Sequence, residues 1–348
     1  MELLTPLAAA GLGLGFALGL AGAATRFCTM GAISDLVLKR DDNRLRAWAL
    51  AVAVALAASQ GLELAGGVPL ARSLYRGPNV SWLGAILGGA LFGAGMVLAG
   101  GCGFRLLLRA GQGSLRAVAA LLSLSLSAYA TLHGVLAHAR LWLERATALD
   151  LRAFGFAGQG LAELSGGTWV PALAAIVLTA ALAGWALTKA AFRRDLRFWG
   201  GGLAVGLLVA GAWGLTAWAG LDGFDPQPPR SLSFVAPIGD TAAYIMTASG
   251  TSFGFTAASV LGTVLGAGAL SLGTRSFHRE PMIEGRDLAR HLVGGGLMGV
   301  GGVLALGCTV GQGISALSTL AVTPFLVLPA IFAAAVATLK KTENSGCR

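Results

Sequence analysis

Long stretches without a single charged side chain divide this sequence. Seven runs contain no Asp, Glu, Lys or Arg, and each exceeds the length of about 20 residues that a helix needs to cross a bilayer. The last run is long enough for two helices, and a shorter one, 47–62, extends into a further span with one Glu. Only helices satisfy every backbone polar group in such runs. The pattern therefore predicts an all-α polytopic membrane protein with eight or nine transmembrane helices, in the runs Leu3–Thr25, Gly77–Phe104, Ala117–Ala139, Leu164–Thr188, Phe198–Leu221, Thr241–Thr274 and His291–Leu339.

Composition and charge agree with a chain whose main partner is membrane lipid. Charged residues make up 12% of the sequence, about half the share in soluble domains. The net charge of +9 would suggest nucleic acid in a soluble protein, but here it sits between the apolar runs and indicates topology instead. The positive-inside rule places four basic clusters in the cytoplasm and the segment 221–240 outside. The clusters are Lys39, Arg40, Arg44 and Arg46; Lys189, Arg193, Arg194 and Arg197; Arg275, Arg279, Arg286 and Arg290; and Lys340 with Lys341.

One segment occurs twice. Residues 88–102, GGALFGAGMVLAGGC, align without gaps with 294–308, GGGLMGVGGVLALGC, and a Gly-Gln-Gly follows each copy. Two-fold internal repetition is typical of transporters, so we expect a single transport domain over 1–348 with repeat halves at roughly 1–200 and 225–340. Charge bias favours inverted repeats. A weaker similarity between residues 25–29 and 251–255, the weaker sequence echo, would make Gly254 the equivalent of Cys28.

The repeated glycines have two interpretations. Small residues at helical spacing, as in Gly89-xxx-Gly93 and Gly295-xxx-Gly299, let membrane helices pack closely. The glycines beside each cysteine, Gly101 and Gly307 among them, would instead interrupt a helix at membrane depth, which is tolerated only where backbone is buried in protein or lines a cavity. Matched breaks in two repeats indicate a binding site, and free N–H groups at a break favour an anion.

Cysteines are the chemical groups at these breaks. A buried thiol is a small, weak S–H donor that could hold a soft anion and still release it; the simpler alternative is a buried hydrophobe. We predict a substrate path through Cys28, Cys102 and Cys308, with Arg26, Arg105, Gln112, Gln312, Gly101 and Gly307 as possible anion contacts, although these residues could also end helices or tie loops. The sequence has no CxxC pair and no ATP-binding, hydrolase or zinc-protease motif. We therefore expect a transporter rather than an enzyme, without metal or cofactor, and give Cys347 no role.

Three separated motifs resemble the YeeE/YedE (TsuA) family of bacterial inner-membrane proteins associated with sulfur transport. They are RFCTMGAISD (26–35), GAGMVLAGGC with GQGS (93–102, 111–114) and GGGLMGVGGVLALGCTVGQGISALS (294–318). The resemblance implies an hourglass-like fold with short inward-dipping helices. It also implies thiosulfate uptake by successive S–H···S contacts with Cys28, Cys102 and Cys308, and a cytoplasmic TusA-like carrier protein of the YeeD type as partner. Transport of another sulfur or selenium species, or a membrane persulfide-relay enzyme, are the alternatives.

Overall fold

The structure, a computed structural model, describes residues 5–220, 227–278, 280 and 285–344. Eight of the helical stretches in these residues are long and apolar enough to cross a membrane, which confirms the predicted all-α polytopic fold. The helices are α1 (Pro6–Thr25), α2 (Thr29–Leu38), α3 (Asn43–Leu64), α4 (Trp82–Leu98), α5 (Gly103–Gly111), α6 (Leu115–Leu132), α7 (Ala137–Thr147), α8 (Leu161–Ser165), α9 (Trp169–Leu187), α10 (Ala190–Arg194), α11 (Leu196–Ala219), α12 (Val235–Thr247), α13 (Phe255–Gly273), α14 (Gly285–Leu304) and α15 (Thr323–Asn344).

Two short strands stand apart from this helical fold. β1 (Asn79–Ser81) pairs antiparallel with β2 (Ala148–Asp150), and together they join the segment before α4 to the segment after α7. Beside them the nearly buried guanidinium of Arg76 forms ion pairs with Glu63 and Glu163. A buried guanidinium is stable only when its donors are paired, so these contacts anchor the loops at this end of the bundle.

The two copies of the repeated segment run in opposite directions. They form α4 and α14, which pack antiparallel through glycines that let the backbones touch. A side-chain carbon added at Gly88 would lie 2.6 Å from the Gly301 carbonyl oxygen, and one at Gly294 would lie 2.7 Å from that of Gly95. Gly88 is equivalent to Gly294, and Gly95 to Gly301, so the two contacts are the same contact made twice around a two-fold axis.

Helix packing repeats around the same axis. α1 packs on α13 as α11 packs on α3, and α4 packs on α15 as α14 packs on α6. Gly93 and Gly299 support the latter pairs by approaching Ile331 and Leu124 backbone, which confirms the packing role of the GxxxG spacing. On this pattern α1–α6 and α11–α15 correspond, and we propose them as the two repeat units, with α7–α10 between them.

This pairing overturns the weaker sequence echo. α2 contacts α15 as α12 contacts α6, so the counterpart of α2 is α12. Gly254 precedes α13, whose counterpart is α3, and it therefore does not occupy the place of Cys28. The echo was wrong because a five-residue match carries no information about which helices pack together.

One face of the bundle, here called the basic face, carries the basic clusters. The α2–α3 loop meets the start of α10 there, where the Lys189 ammonium lies 2.5 Å from an Asp42 carboxylate oxygen. Partial burial raises the pKa of Asp42, but hydrogen bonds from Lys189 and Arg46 outweigh this and hold it below its usual range. α15 runs parallel to α4 and ends at this face with Lys340 and Lys341. The positive-inside rule predicts that this face lies in the cytoplasm.

Candidate functional site

Three helices end in the same way, and a cysteine follows each end. α1, α4 and α14 terminate in a residue with left-handed backbone, two positions before the cysteine: Arg26 (φ 53°), Gly100 (φ 69°) and Leu306 (φ 55°). The next N–H then bonds to the carbonyl five residues back, which is the Schellman ending of a helix. These bonds run from Phe27 to Gly22 (3.1 Å), from Gly101 to Met96 (2.9 Å) and from Gly307 to Gly302 (2.8 Å).

Each cysteine then starts the next helical segment. Cys28 and Cys102 have extended backbone at the N-caps of α2 and α5, and Cys308 precedes a six-residue π-helical segment, Gly311–Ala316. Two of the sulfurs accept a hydrogen bond from the backbone N–H three residues further on, as an N-cap side chain does. The donors are Gly31 to Cys28 (3.3 Å) and Gly311 to Cys308 (3.3 Å), whereas Cys102 makes no such side-chain cap bond.

The three breaks meet inside the bundle. The thiols of Cys28 and Cys102 lie close enough to interact with each other. The hydroxyl of Thr309, which directly follows Cys308, also lies close to Cys102 and has no hydrogen-bond partner among the described residues. All three cysteines are free and buried. Because Thr309 connects the second break to Cys102, the cysteines follow one another in the order Cys308, Cys102 and Cys28, and we call these three residues the cysteine row.

The end of the row towards the basic face is narrow and cationic. Cys28 lines a pocket of about 10 Å³ together with Arg26, Arg44 and Arg197, which leaves room for about one water molecule. Arg44 lies 3.1 Å from the Asp35 carboxylate. The positive charge of Arg105 acts on both Cys28 and Cys102, and in the described part of the chain its guanidinium has no carboxylate partner within 4.0 Å.

The opposite end of the row is wide. A cavity of about 480 Å³ opens on the face away from the basic clusters, and its lining includes Gly307, which precedes Cys308. Tyr75 and Ser233 also line it. Their hydroxyls lie close to each other, and Tyr75 also lies close to Cys308. This cavity therefore reaches from the outer face to the residue directly before Cys308.

The two predicted glutamines lie in different surroundings. Gln112 is the C-cap of α5, at the opposite end of this helix from Cys102, so the structure does not bring it to the cysteine row. Gln312 is fully buried, and its amide donates to the Ala305 carbonyl (2.7 Å), which ties the break after α14 closed. Gly101 packs on the side chain of Arg105, 3.0 Å from an added carbon. Cys347 lies outside the described residues.

Sequence reasoning missed three hydroxyl residues beside the row: Tyr75, Ser233 and Thr309. Thr309 follows Cys308 directly, but the first copy carries Gly103 at the equivalent position, so the repeat gave no signal. Tyr75 comes from the loop before α4, far from any cysteine in sequence. Only the packing of that loop over the second break brings it to the site.

Comparison with known proteins agrees with this architecture. A family model described as sulphur transport matches residues 24–337, which include all three breaks. The chain belongs to the sulphur transport family. This membership, with the eight apolar helices, makes it a multi-pass membrane protein of a transport family.

Two relatives are similar to this chain along most of their length. The thiosulfate transporter TsuA of Spirochaeta thermophila is 28% identical over 329 residues, covering 91% of this chain and 93% of the relative. The thiosulfate transporter TsuA of Escherichia coli is 25% identical over 324 residues, covering 87% and 86%. The likeness therefore extends over both repeat units and is not confined to one motif.

Proposed function

We propose that this chain takes up thiosulfate across the bacterial inner membrane, from the outer cavity to the cytoplasmic basic face, along the cysteine row. The observation that carries the proposal is the convergence of three buried cysteines, each placed at the start of a helical segment by the same backbone break, with Cys28 and Thr309 both close to Cys102. Two relatives are thiosulfate transporters, which supports this cargo over another sulfur or selenium species.

The chemistry of the row suits a soft dianion. Thiosulfate carries a terminal sulfur, which can accept the weak hydrogen bond that a thiol S–H donates. Each cysteine also stands where backbone N–H groups and the positive end of a helix point, which favours negative charge. Weak donors at several successive sites permit binding and release, as conduction requires. Arg105 offsets part of the cost of placing a dianion among apolar helices.

Passage without covalent chemistry is the function that we favour, so we propose that the chain is not an enzyme. The contact of Cys28 with Cys102 beside Arg105 supports a second candidate, a persulfide relay. In that reaction a cysteine thiolate attacks the terminal sulfur of thiosulfate, the S–S bond breaks, and sulfite leaves with the electron pair. The products are a cysteine persulfide and sulfite, and no further reactant is needed.

The basic face suits a cytoplasmic acceptor of the anion. Arg26, Arg44 and Arg197 surround the pocket at Cys28, so a released anion would meet positive charge at the exit. A TusA-like sulfur carrier of the YeeD type is the partner that we propose there. A pull-down of such a carrier by purified protein, lost when Arg26 and Arg197 are both changed to Glu, would support this assignment.

Uptake of ³⁵S-thiosulfate into proteoliposomes tests the proposal. The variants Cys28→Ala, Cys102→Ala and Cys308→Ala each remove one thiol of the row, and Cys347→Ala is the matched control because it removes a thiol from the C-terminal tail. The internal contents are then separated by chromatography to distinguish thiosulfate from sulfite, and the protein is analysed by mass spectrometry for a mass increase of one sulfur.

We expect intact thiosulfate inside the vesicles, with uptake lost in the three row variants and kept in Cys347→Ala. Sulfite inside the vesicles together with a persulfide on Cys28 or Cys102 would contradict transport of the intact ion and support the persulfide relay. Undiminished uptake in all three row variants would contradict both candidates.

A further inference from the structure

The second repeat unit has a helix without the expected cysteine before it. α12 is the counterpart of α2, and both helices contain Ile-x-Asp, at Ile33 and Asp35 in α2 and at Ile238 and Asp240 in α12. Counted back in this register, the residue in the place of Cys28 is Ser233. The two-fold repeat therefore pairs a thiol near the basic face with a hydroxyl near the outer face.

The contacts of Ser233 agree with this correspondence. Cys28 faces Cys102 and the first turn of α5, where Arg105 lies three residues after Cys102. Ser233 faces Gly311, three residues after Cys308: an added carbon at Gly311 would lie 2.5 Å from Ser233 Oγ and 3.2 Å from Tyr75 Oη. Glycine at this position is what lets both hydroxyls approach the turn that starts at Cys308.

These two hydroxyls, here called the outer hydroxyl pair, are accessible from one side. They line the 480 Å³ cavity, which is large enough for a hydrated anion. Arg72 and Arg230 lie in its wall with Asp240 as an opposing acid. Within the described ranges neither arginine has a carboxylate within 4.0 Å, so their charge is available to an incoming anion.

Hydroxyl and thiol donors suit different ends of a sulfur oxyanion. An O–H is a stronger donor than an S–H, and oxygen atoms are the acceptors that it matches. Tyr75 and Ser233 lie close to each other, so one O–H can donate to the neighbouring hydroxyl while the other is free to donate to an anion. Cys308 is buried behind the lining residue Gly307, and its sulfur accepts from the Gly311 N–H, the residue that both hydroxyls approach. An oxygen-binding pair at the cavity wall therefore lies next to a thiol just below it.

We infer that the outer hydroxyl pair, Tyr75 and Ser233, binds the oxygen atoms of the incoming sulfur oxyanion while its terminal sulfur faces Cys308. This inference rests on the proposed function and adds a binding site to it. The pair sets the orientation in which the anion enters the cysteine row. Sulfate, which has the oxygens but lacks the terminal sulfur, occupies the pair and competes with thiosulfate without passing on.

Uptake kinetics in proteoliposomes test this site. The double variant Tyr75→Phe/Ser233→Ala removes both hydroxyls and keeps the ring and the backbone. The matched control is Tyr129→Phe/Ser125→Ala on α6, outside the cavity lining, where Ser125 only donates to its own helix at Leu122. The initial rate is measured against thiosulfate concentration, with and without sulfate, and size-exclusion chromatography verifies that both proteins are folded.

We expect the KM of the cavity variant to rise by at least about tenfold, since the loss of one hydrogen bond to a charged group has about this effect and the variant removes two hydroxyls, with the maximal rate near that of the wild type. Inhibition by sulfate should disappear in the cavity variant and persist in the control. An unchanged KM and unchanged sulfate inhibition in a folded cavity variant, with wild-type protein active, would overturn the inference alone. Wild-type protein without thiosulfate uptake would overturn the proposed function and this site with it.

Discussion

The two ends of the cysteine row are built from equivalent backbone segments but differ in width and in the groups closest to the row. At the outer end, Tyr75 and Ser233 line a cavity of about 480 Å³ that also has arginines in its wall. At the inner end, Cys28 and three arginines enclose about 10 Å³. The outer end is wide and has neutral hydroxyls next to the row, whereas the inner end is closed and has positive charge directly beside Cys28. The backbone is two-fold symmetric, but the side chains at its two ends differ. The path therefore has distinguishable ends, which a fully symmetric path would not have.

The largest effect should come from closing the inner end covalently. The Cys28 and Cys102 thiols are close neighbours, whereas Cys308 has hydroxyl neighbours. Diamide should therefore oxidise Cys28 and Cys102 to a disulfide, itself being reduced to the hydrazine, and abolish thiosulfate uptake until dithiothreitol restores it. Mass spectrometry of digested protein should find this disulfide and a free Cys308. A disulfide that includes Cys308 would contradict the order of the row.

Charge should matter more at the inner end than at the outer end. Arg105→Gln is expected to reduce uptake about tenfold, because charge-assisted contacts in partly buried sites contribute about 1.5–3 kcal/mol. Arg230→Gln, at the exposed rim of the outer cavity, should reduce it about twofold or less, since solvent and salt screen exposed charges. Uptake at several salt concentrations measures both. Equal losses of uptake in the two variants would contradict the prediction that charge matters more at the inner end.

The backbone breaks can be compared through stability. Gly100 and Leu306 are equivalent residues in left-handed conformation, but only Gly100 lacks a side chain there. An added carbon at Gly100 would meet nothing closer than 3.7 Å, so Gly100→Ala should cost about 1–2 kcal/mol from backbone strain alone. Its melting temperature should fall, whereas Gly13→Ala, in open space within α1, should leave it unchanged or raise it. Identical melting temperatures would show that the break at Gly100 relaxes freely.

The smallest effect concerns the basic face below Cys102. Ser114 and Arg109 bond to the Glu280 carboxylate (2.5 and 2.7 Å), and these contacts hold its pKa below the usual 4.5. Because the folded-state pKa is lowered, the stabilisation is complete above about pH 4.5 and is lost as pH falls through the lowered value. The Glu280 side chain is 42% exposed, so the contribution is at most about 1 kcal/mol.

Thermal unfolding in detergent measures this contribution. The wild type should melt higher than Glu280→Gln at pH 7, and the difference should shrink as pH falls below about 4.5. A difference that grows as pH falls would contradict the assigned pKa direction.

The transmembrane part of the fold could be predicted because the absence of charge is a local property of the sequence. The breaks at Cys102 and Cys308 were predictable for a similar reason, since glycines precede both. The break at Cys28 has no glycine, and Arg26 adopts the left-handed conformation only because the tertiary structure holds α1 against α11 and α13. Cys28 was predicted from the motif that contains it, and nothing in the sequence indicated the backbone conformation that positions it.

The outer hydroxyl pair could not be predicted, because it depends on packing between remote segments. Tyr75 precedes α4, and Ser233 precedes α12, 158 residues later in the sequence. The Ile-x-Asp correspondence becomes meaningful only after the contacts of α2 and α12 identify them as counterparts. Gln112 illustrates the opposite error: a repeated Gly-Gln-Gly suggested equivalent roles, but α5 carries the first copy away from the row, and the π-helical segment keeps the second beside it.

The position of bound thiosulfate is the most direct test of the path. Crystals grown with thiosulfate, with anomalous diffraction recorded at a wavelength sensitive to sulfur, would locate the two sulfur atoms of the ion. Our account predicts the ion at the floor of the outer cavity or within the row, with its terminal sulfur against Cys308 or Cys102 and its oxygens towards Tyr75 and Ser233. A transported ion bound on a route that contacts none of the three thiols would contradict it.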